Sequence, residues 1–104
     1  MARVIVEQSL EQRVSDEALS DVAKRLDPCL DIRDGTWIRS YVSNDRRRII
    51  CEFEAPDAES VRAALRSAGI AFDRAWSAQL FDASDDPDLG EKRGRFRKKV
   101  TRKG

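Results

Sequence analysis

The chain has 104 residues, of which 40% are hydrophobic and 7% aromatic, and it carries 20 basic against 19 acidic side chains. That length is typical of one domain with a small core, and no run approaches the ~20 apolar residues of a membrane-spanning helix. Histidine is absent, which removes the commonest transition-metal ligand and the commonest acid–base group.

The first predicted elements are a strand and a helix. Val4, Val6 and Gln8 alternate with Ile5 and Glu7, which indicates a strand of about five or six residues. Ser15 is the predicted N-cap of a helix, whose apolar stripe consists of Ala18, Leu19, Val22, Ala23 and Leu26. Pro28 lacks a backbone donor, so we expect this helix to kink or end at about Asp27.

A β-hairpin is predicted around the turn signal at residues 43–46, between strands at 36–42 and 47–54. A symmetric loop pairs Ser40 with Ile49 and Trp37 with Glu52. This register gives a core face of Ile38, Ser40, Ile49, Cys51 and Phe53. It gives an opposite face of Trp37, Arg39, Tyr41, Ile50 and Glu52.

A second helix and a last strand follow. Asp57 is the predicted N-cap, and Gly69 is the predicted glycine at the helix C-terminus. The buried stripe of this helix is predicted to be Val61, Ala64, Leu65 and Ala68. The last strand, at about 74–80, contains Trp76.

The order strand, helix, strand, strand, helix, strand predicts a ferredoxin-like α+β fold. In this fold a four-stranded antiparallel sheet has both helices on one face. The other face stays open and is predicted to display Ile5, Glu7, Trp37, Arg39, Tyr41, Ile50, Glu52 and Trp76. Such a face is too apolar to remain fully solvated, so we expect a homodimer of the α/β-barrel type in which two sheets face each other.

Two interpretations of this face remain open. In one, it is a packed dimer interface in which Arg39 lies between Glu7 and Glu52 and neutralises them. In the other, the sheets enclose a small-molecule pocket, with the ligand-binding residues Glu7, Trp37, Arg39, Tyr41, Glu52 and Trp76. Arg39 would then bind an anionic group, and Glu7 or Glu52 would serve as general base if the protein were an enzyme.

The two cysteines, Cys29 and Cys51, do not form a Cys-x-x-Cys pair, and we interpret both as small buried hydrophobic residues. A nucleophilic role for Cys51 is not favoured, because the chain has no histidine to activate the thiol. The N-terminus shows no apolar segment of a signal peptide, so the expected location is the cytoplasm, without a membrane partner.

The C-terminal region differs in charge from the rest. Residues 1–81 carry 12 basic and 14 acidic side chains, whereas residues 82–104 carry 8 and 5. We therefore predict a ferredoxin-like domain over 1–81 and a charged, flexible tail over 82–104, with every basic residue of the tail between Lys92 and Lys103. Nucleic-acid binding through this tail is an alternative function, although its one aromatic residue, Phe96, makes a poor stacking platform.

Several stretches resemble a family of small ferredoxin-like domains, mostly of unknown function, that includes a nickel-binding protein. They are Val6-Glu7, Trp37–Asp45, Cys51–Pro56, Val61-Arg62, Ala68-Gly69 and Asp73-Arg74. The resemblance implies the same fold, a dimer with facing sheets, and binding of nickel or another divalent metal. Relatives often have histidine at the position of Arg39, and the nickel-binding members have histidines near Leu65 and Ile70. This chain has none of these, so we do not carry the metal site over.

The sequence thus predicts a small homodimeric binding protein whose ligand, a small molecule or a divalent metal, lies between facing sheets. The alternatives are a small cofactor-independent barrel enzyme and a nucleic-acid accessory protein. The identity of the ligand does not follow from the residues.

Overall fold

A computed structural model describes residues 1–88 of the chain. Its main elements are β1 (Ala2–Ser9), α1 (Asp16–Ile32), β2 (Thr36–Val42), β3 (Arg48–Ala55), α2 (Ala58–Ser67) and β4 (Arg74–Ala78). The strands form one antiparallel sheet in the order β2-β3-β1-β4, and both helices pack on one face of it. The predicted ferredoxin-like fold is therefore confirmed, whereas the dimer stays a prediction.

The core lies between the helices and the sheet. Val4, Val6, Phe53 and Val61 are the largest fully buried side chains. The predicted stripe of α2 is confirmed at Val61, Ala64 and Leu65, which are buried. The cap is confirmed as well, because an Asp57 side-chain oxygen accepts a hydrogen bond from the Ser60 backbone N–H at 2.7 Å.

Of the two outcomes expected at about Asp27, a kink or an end of α1, the end is wrong. Ser15 caps the helix as expected, but α1 continues through Pro28 to Ile32. Pro28 is exposed, so solvent can hydrate the carbonyl that its missing N–H leaves free. Leu26 and Leu30 on either side of it are buried in the core, and their packing holds the helix together across the proline.

The predicted register of the hairpin is also wrong, by two residues. Ser40 lies opposite Cys51, and Val42 opposite Ile49. The turn is longer than expected because Arg46 adopts a left-handed backbone conformation with φ 62°, and the Ser43 N–H donates to the Arg48 carbonyl at 2.9 Å. A shift by two preserves the side of the sheet to which each residue points.

A bulge in β2 changes the side of one residue. The pairing passes from Arg39 opposite Glu52 directly to Trp37 opposite Phe53, and Ile38 has no partner in this register. An extra residue reverses the alternation of the strand beyond it. Trp37 therefore lies on the side of the sheet that the helices cover.

The last strand ends at Ala78, two residues before the predicted Leu80. It is followed by a short 3₁₀ turn at Ala83–Asp85, in which Asp82 and Asp85 cap each other's backbone. None of the helices within residues 1–88 has the length and apolar character needed to cross a membrane. The basic segment between Lys92 and Lys103 lies outside the described residues, so its predicted roles stay predictions.

Candidate functional site on the open face of the sheet

The side of the sheet away from the helices carries five of the six predicted ligand-binding residues. Register and alternation place its central side chains in two rows across the four strands. One row is Trp76, Ile5, Glu52 and Arg39, and the next is Arg74, Glu7, Ile50 and Tyr41. We call this side, with Arg3, Arg48 and Glu54 at its ends, the open face.

Glu52 is the most enclosed charged residue of the open face, since only 9% of its surface is exposed. Its Oε2 lies 2.7 Å from Nη1 of Arg3, and its Oε1 lies 3.7 Å from Nε of Arg39. A carboxylate so enclosed needs charged partners to offset its lost hydration. Arg3 and Arg39 supply them.

Glu7 has different partners. Its Oε2 accepts a hydrogen bond from the Trp76 indole N–H at 2.9 Å and lies 3.4 Å from Nε of Arg74. The expected arrangement, with Arg39 between Glu7 and Glu52, is therefore wrong: each carboxylate has an arginine neighbour of its own. A single residue of β3, Ile50, separates Glu7 from Tyr41 in its row.

The sequence reasoning missed Arg3 and Arg74 as members of this network. A signal for both was available, because Arg3 has the same parity as Ile5 and Glu7 in β1, and Arg74 the same parity as Trp76 in β4.

Three large apolar or aromatic side chains surround the ion pairs. Tyr41 is 57% exposed, Trp76 is 43% exposed and Ile50 is 40% exposed. They lie in neighbouring rows of one sheet, so they form a continuous patch rather than scattered residues.

The predicted place of Trp37 on the open face is wrong, as the bulge requires. Its indole N–H donates to the Ser40 hydroxyl at 2.9 Å, and that hydroxyl lies 3.0 Å from the Cys51 sulfur. All three residues line a cavity of about 680 Å³ between α1 and the sheet. Burial raises the pKa of the Cys51 thiol, which disfavours a nucleophilic thiolate and agrees with our interpretation of this cysteine.

The residues present do not fit a nickel site. The chain has no histidine, and within residues 1–88 no three Cys, Asp or Glu side chains cluster closely enough to hold a metal ion. Leu65 and Ile70, the positions near which the resemblance implied histidines in nickel-binding relatives, are apolar and buried in the core. Arg39 lies on the opposite side of the sheet, so these positions do not converge within one subunit.

Comparison with known proteins agrees with the fold. SCO4226 from Streptomyces coelicolor A3(2), known from a crystal structure, matches with a TM-score of 0.71 at 16% sequence identity, over 78% of this chain and 100% of that chain. No curated protein gives a significant match. The family model described as nickel responsive protein SCO4226-like matches residues 5–77. On the strength of this match over most of its length, the chain belongs to the SCO4226-like family of nickel responsive proteins.

Proposed function

We propose that this protein is a homodimeric binding protein in which the open faces of two copies meet and hold a small anionic ligand between them. The observation that carries the proposal is the exposed patch of Tyr41, Ile50 and Trp76. A second copy would remove this apolar surface from water and so stabilise the pair.

The ion pairs of the open face support the same arrangement. Glu52 already has Arg3 and Arg39 as neighbours, and Glu7 has Arg74. Charged side chains that are already paired when they enter an interface have a smaller free-energy cost of desolvation than isolated charges. The face can therefore be covered without leaving a lone buried carboxylate.

The charge balance favours an anion as the ligand. The open face carries four arginines, Arg3, Arg39, Arg48 and Arg74, against three glutamates, Glu7, Glu52 and Glu54. Two such faces brought together carry a small net positive charge, which an anion between them would offset. Arg39 is suited to bind it, because its side chain is 58% exposed and only its Nε approaches Glu52.

The family name suggests a nickel-related role, but the donor set of this chain does not support metal binding at the open face. We also favour binding over catalysis, because Glu7 and Glu52 each have an arginine neighbour in place of a free position for a substrate proton. No observation within residues 1–88 supports the nucleic-acid alternative, which rests on the basic tail.

The oligomeric state tests the proposal. We expect a dimer by native mass spectrometry and light scattering, and we expect Ile50→Lys to convert it to a folded monomer. Ile32→Lys is the matched control, because Ile32 is also an exposed isoleucine but lies at the end of α1. A monomeric parent protein, or an Ile50→Lys protein that remains dimeric, would refute the assembly.

The same spectra recorded with nickel and with small carboxylates test the ligand. We expect no nickel to remain bound after desalting, whereas a bound carboxylate should be weakened by Arg39→Gln and little affected by Arg66→Gln on α2. Nickel retained at one ion per chain would contradict our conclusion about the donor set.

A further inference from the structure

The cavity on the helix-covered side of the sheet is a second candidate site, separate from the open face. It measures about 680 Å³, within the ~300–1,000 Å³ typical of small-molecule pockets. Its apolar walls come from α1 through Leu19, Val22 and Leu26 and from the sheet through Val6, Ile49 and Phe53. We propose that this cavity binds a small, neutral, mostly aliphatic molecule that carries one hydrogen-bonding group.

The first half of α1 leaves apolar surface for such a ligand to cover. Leu26 and Leu30, in the second half, are the buried residues of the helix. Leu19 and Val22 belong to the same stripe but remain partly exposed over the cavity. A ligand between these residues and the sheet would complete the burial that the helix itself does not achieve.

Contacts at both ends of α1 keep the cavity open. At the start, the Arg46 side chain donates from Nε to the Val14 carbonyl at 2.6 Å and forms an ion pair with Asp16. At the other end, Leu30 is packed in the core, and the Gly35 N–H donates to the Leu30 carbonyl at 2.8 Å. A helix held at both ends does not have to reorganise to admit a ligand, which lowers the cost of binding.

The backbone conformation of Arg46 accompanies these contacts at the start of α1. It has φ 62°, a left-handed conformation that costs a non-glycine residue about 1–2 kcal/mol. Strained residues of this kind concentrate at functional sites, where surrounding contacts maintain them. Here those contacts set the height of α1 above the sheet.

The charges and polar groups of the lining select the ligand. Its two charged residues, Lys24 and Asp27, are opposite in sign, so the wall offers no net charge to an ionic headgroup. Trp37, Ser40 and Cys51 form a neutral hydrogen-bonded chain on the sheet side. That chain can accept a hydrogen bond from a hydroxyl group or donate one to a hydroxyl or carbonyl oxygen.

The two tryptophans of the chain make the proposal directly testable. Trp37 lines the cavity and Trp76 lies on the open face, so Trp76→Phe leaves a reporter only in the cavity and Trp37→Phe leaves one only on the open face. The full-length protein is titrated with 1-decanol, decanoate and decyltrimethylammonium. We expect 1-decanol to give a saturable blue shift in the Trp76→Phe protein, and the two charged probes to bind at least about tenfold more weakly.

Variants that fill the cavity provide the control. Ala23→Phe places a ring in the cavity, and Ser20→Phe does so from a more exposed lining position, in case the first variant does not fold. We expect each folded variant, in the Trp76→Phe background, to bind 1-decanol at least about tenfold more weakly.

Four results would overturn the proposal. One is the absence of a saturable shift from Trp37 up to the solubility limit of 1-decanol, and another is a shift that only Trp76 reports. The third is equal affinity for the three headgroups, and the fourth is unchanged affinity in the filled variants. A monomeric protein that still binds 1-decanol at Trp37 would refute the dimer alone, so failures of the two proposals are distinguishable.

Discussion

Replacing Arg46 separates the strain of its backbone from the contacts of its side chain. The side chain donates to the Val14 carbonyl and pairs with Asp16, while the Arg46 carbonyl accepts from the Val14 N–H at 2.9 Å. Alanine removes the side-chain contacts and keeps the left-handed backbone. Glycine removes the same contacts but adopts φ 62° without steric cost.

The expected change in stability follows from the energies of these contacts and of the backbone strain. A hydrogen bond from a charged group is worth about 1.5–3 kcal/mol, whereas the ion pair adds less than about 1 kcal/mol because Asp16 is 92% exposed. Arg46→Ala should therefore cost about 2–3 kcal/mol of the free energy of unfolding. Glycine relieves about 1–2 kcal/mol of backbone strain in the folded protein, but it raises the conformational entropy of the unfolded chain, which lowers stability by about 0.4–1 kcal/mol. Arg46→Gly should thus be about 1 kcal/mol more stable than Arg46→Ala.

Urea unfolding followed by far-ultraviolet circular dichroism measures both variants. Arg13→Ala is the control, because Arg13 is an exposed arginine of the loop before α1 and should change stability by less than about 0.5 kcal/mol. An alanine variant as stable as the glycine variant would show that no strain is stored at position 46. Losses no larger than that of Arg13→Ala would show that these contacts do not hold α1.

Three further predictions concern single groups. Burial raises the pKa of the Cys51 thiol, so as the pH rises the thiol of the unfolded chain ionises first, at its ordinary pKa of ~8.5. Stability measured by urea midpoints should therefore fall with rising pH until the raised pKa of the folded protein is passed, and Cys51→Ala should remove that slope. Hydrogen bonds from the Ser60 hydroxyl and N–H lower the pKa of Asp57, so the contribution of this carboxylate to stability should be lost as the pH falls through the lowered pKa. Asp57→Asn should therefore flatten the acid side of a plot of thermal midpoint against pH, and an unchanged acid side would contradict this. Gly69 has φ 72°, and an added Cβ would meet no atom within 4 Å. Gly69→Ala should therefore lose about 1 kcal/mol in urea unfolding, because backbone strain of about 1–2 kcal/mol is partly offset by the lower entropy of the unfolded alanine chain, about 0.4–1 kcal/mol. A much larger loss would indicate a clash.

Much of the fold follows from local signals in the sequence. Ser15 and Asp57 cap their helices as predicted, and Gly69 takes the left-handed conformation expected beyond a helix C-terminus. The sequence also predicted that Arg39 and Tyr41, which follow the bulge in β2, lie on the open face. Because side chains alternate with period two, even a register error of two residues left them on the correct side.

The errors arose where a nonlocal contact decided the structure. Pro28 predicted a kink or an end of the helix, but the burial of Leu26 and Leu30 carries α1 past it. The hairpin turn depends on the left-handed Arg46, whose side-chain contacts lie 30 or more residues away in the chain. No residue between Thr36 and Val42 is a glycine or proline that would signal the bulge. The α1 cavity likewise required the position of a helix above a sheet, which periodicity does not specify.

Arg39 bears on both metal binding and anion binding at the open face. A guanidinium stays protonated and has no lone pair for a metal, so Arg39 cannot serve as a metal ligand. Arg39 also lies next to Glu52 and so occupies the surroundings of a carboxylate that a metal ion would need. Its positive charge adds to a face whose arginines outnumber its glutamates. The residue that disfavours a metal ion at this face therefore also makes the face more attractive to an anion.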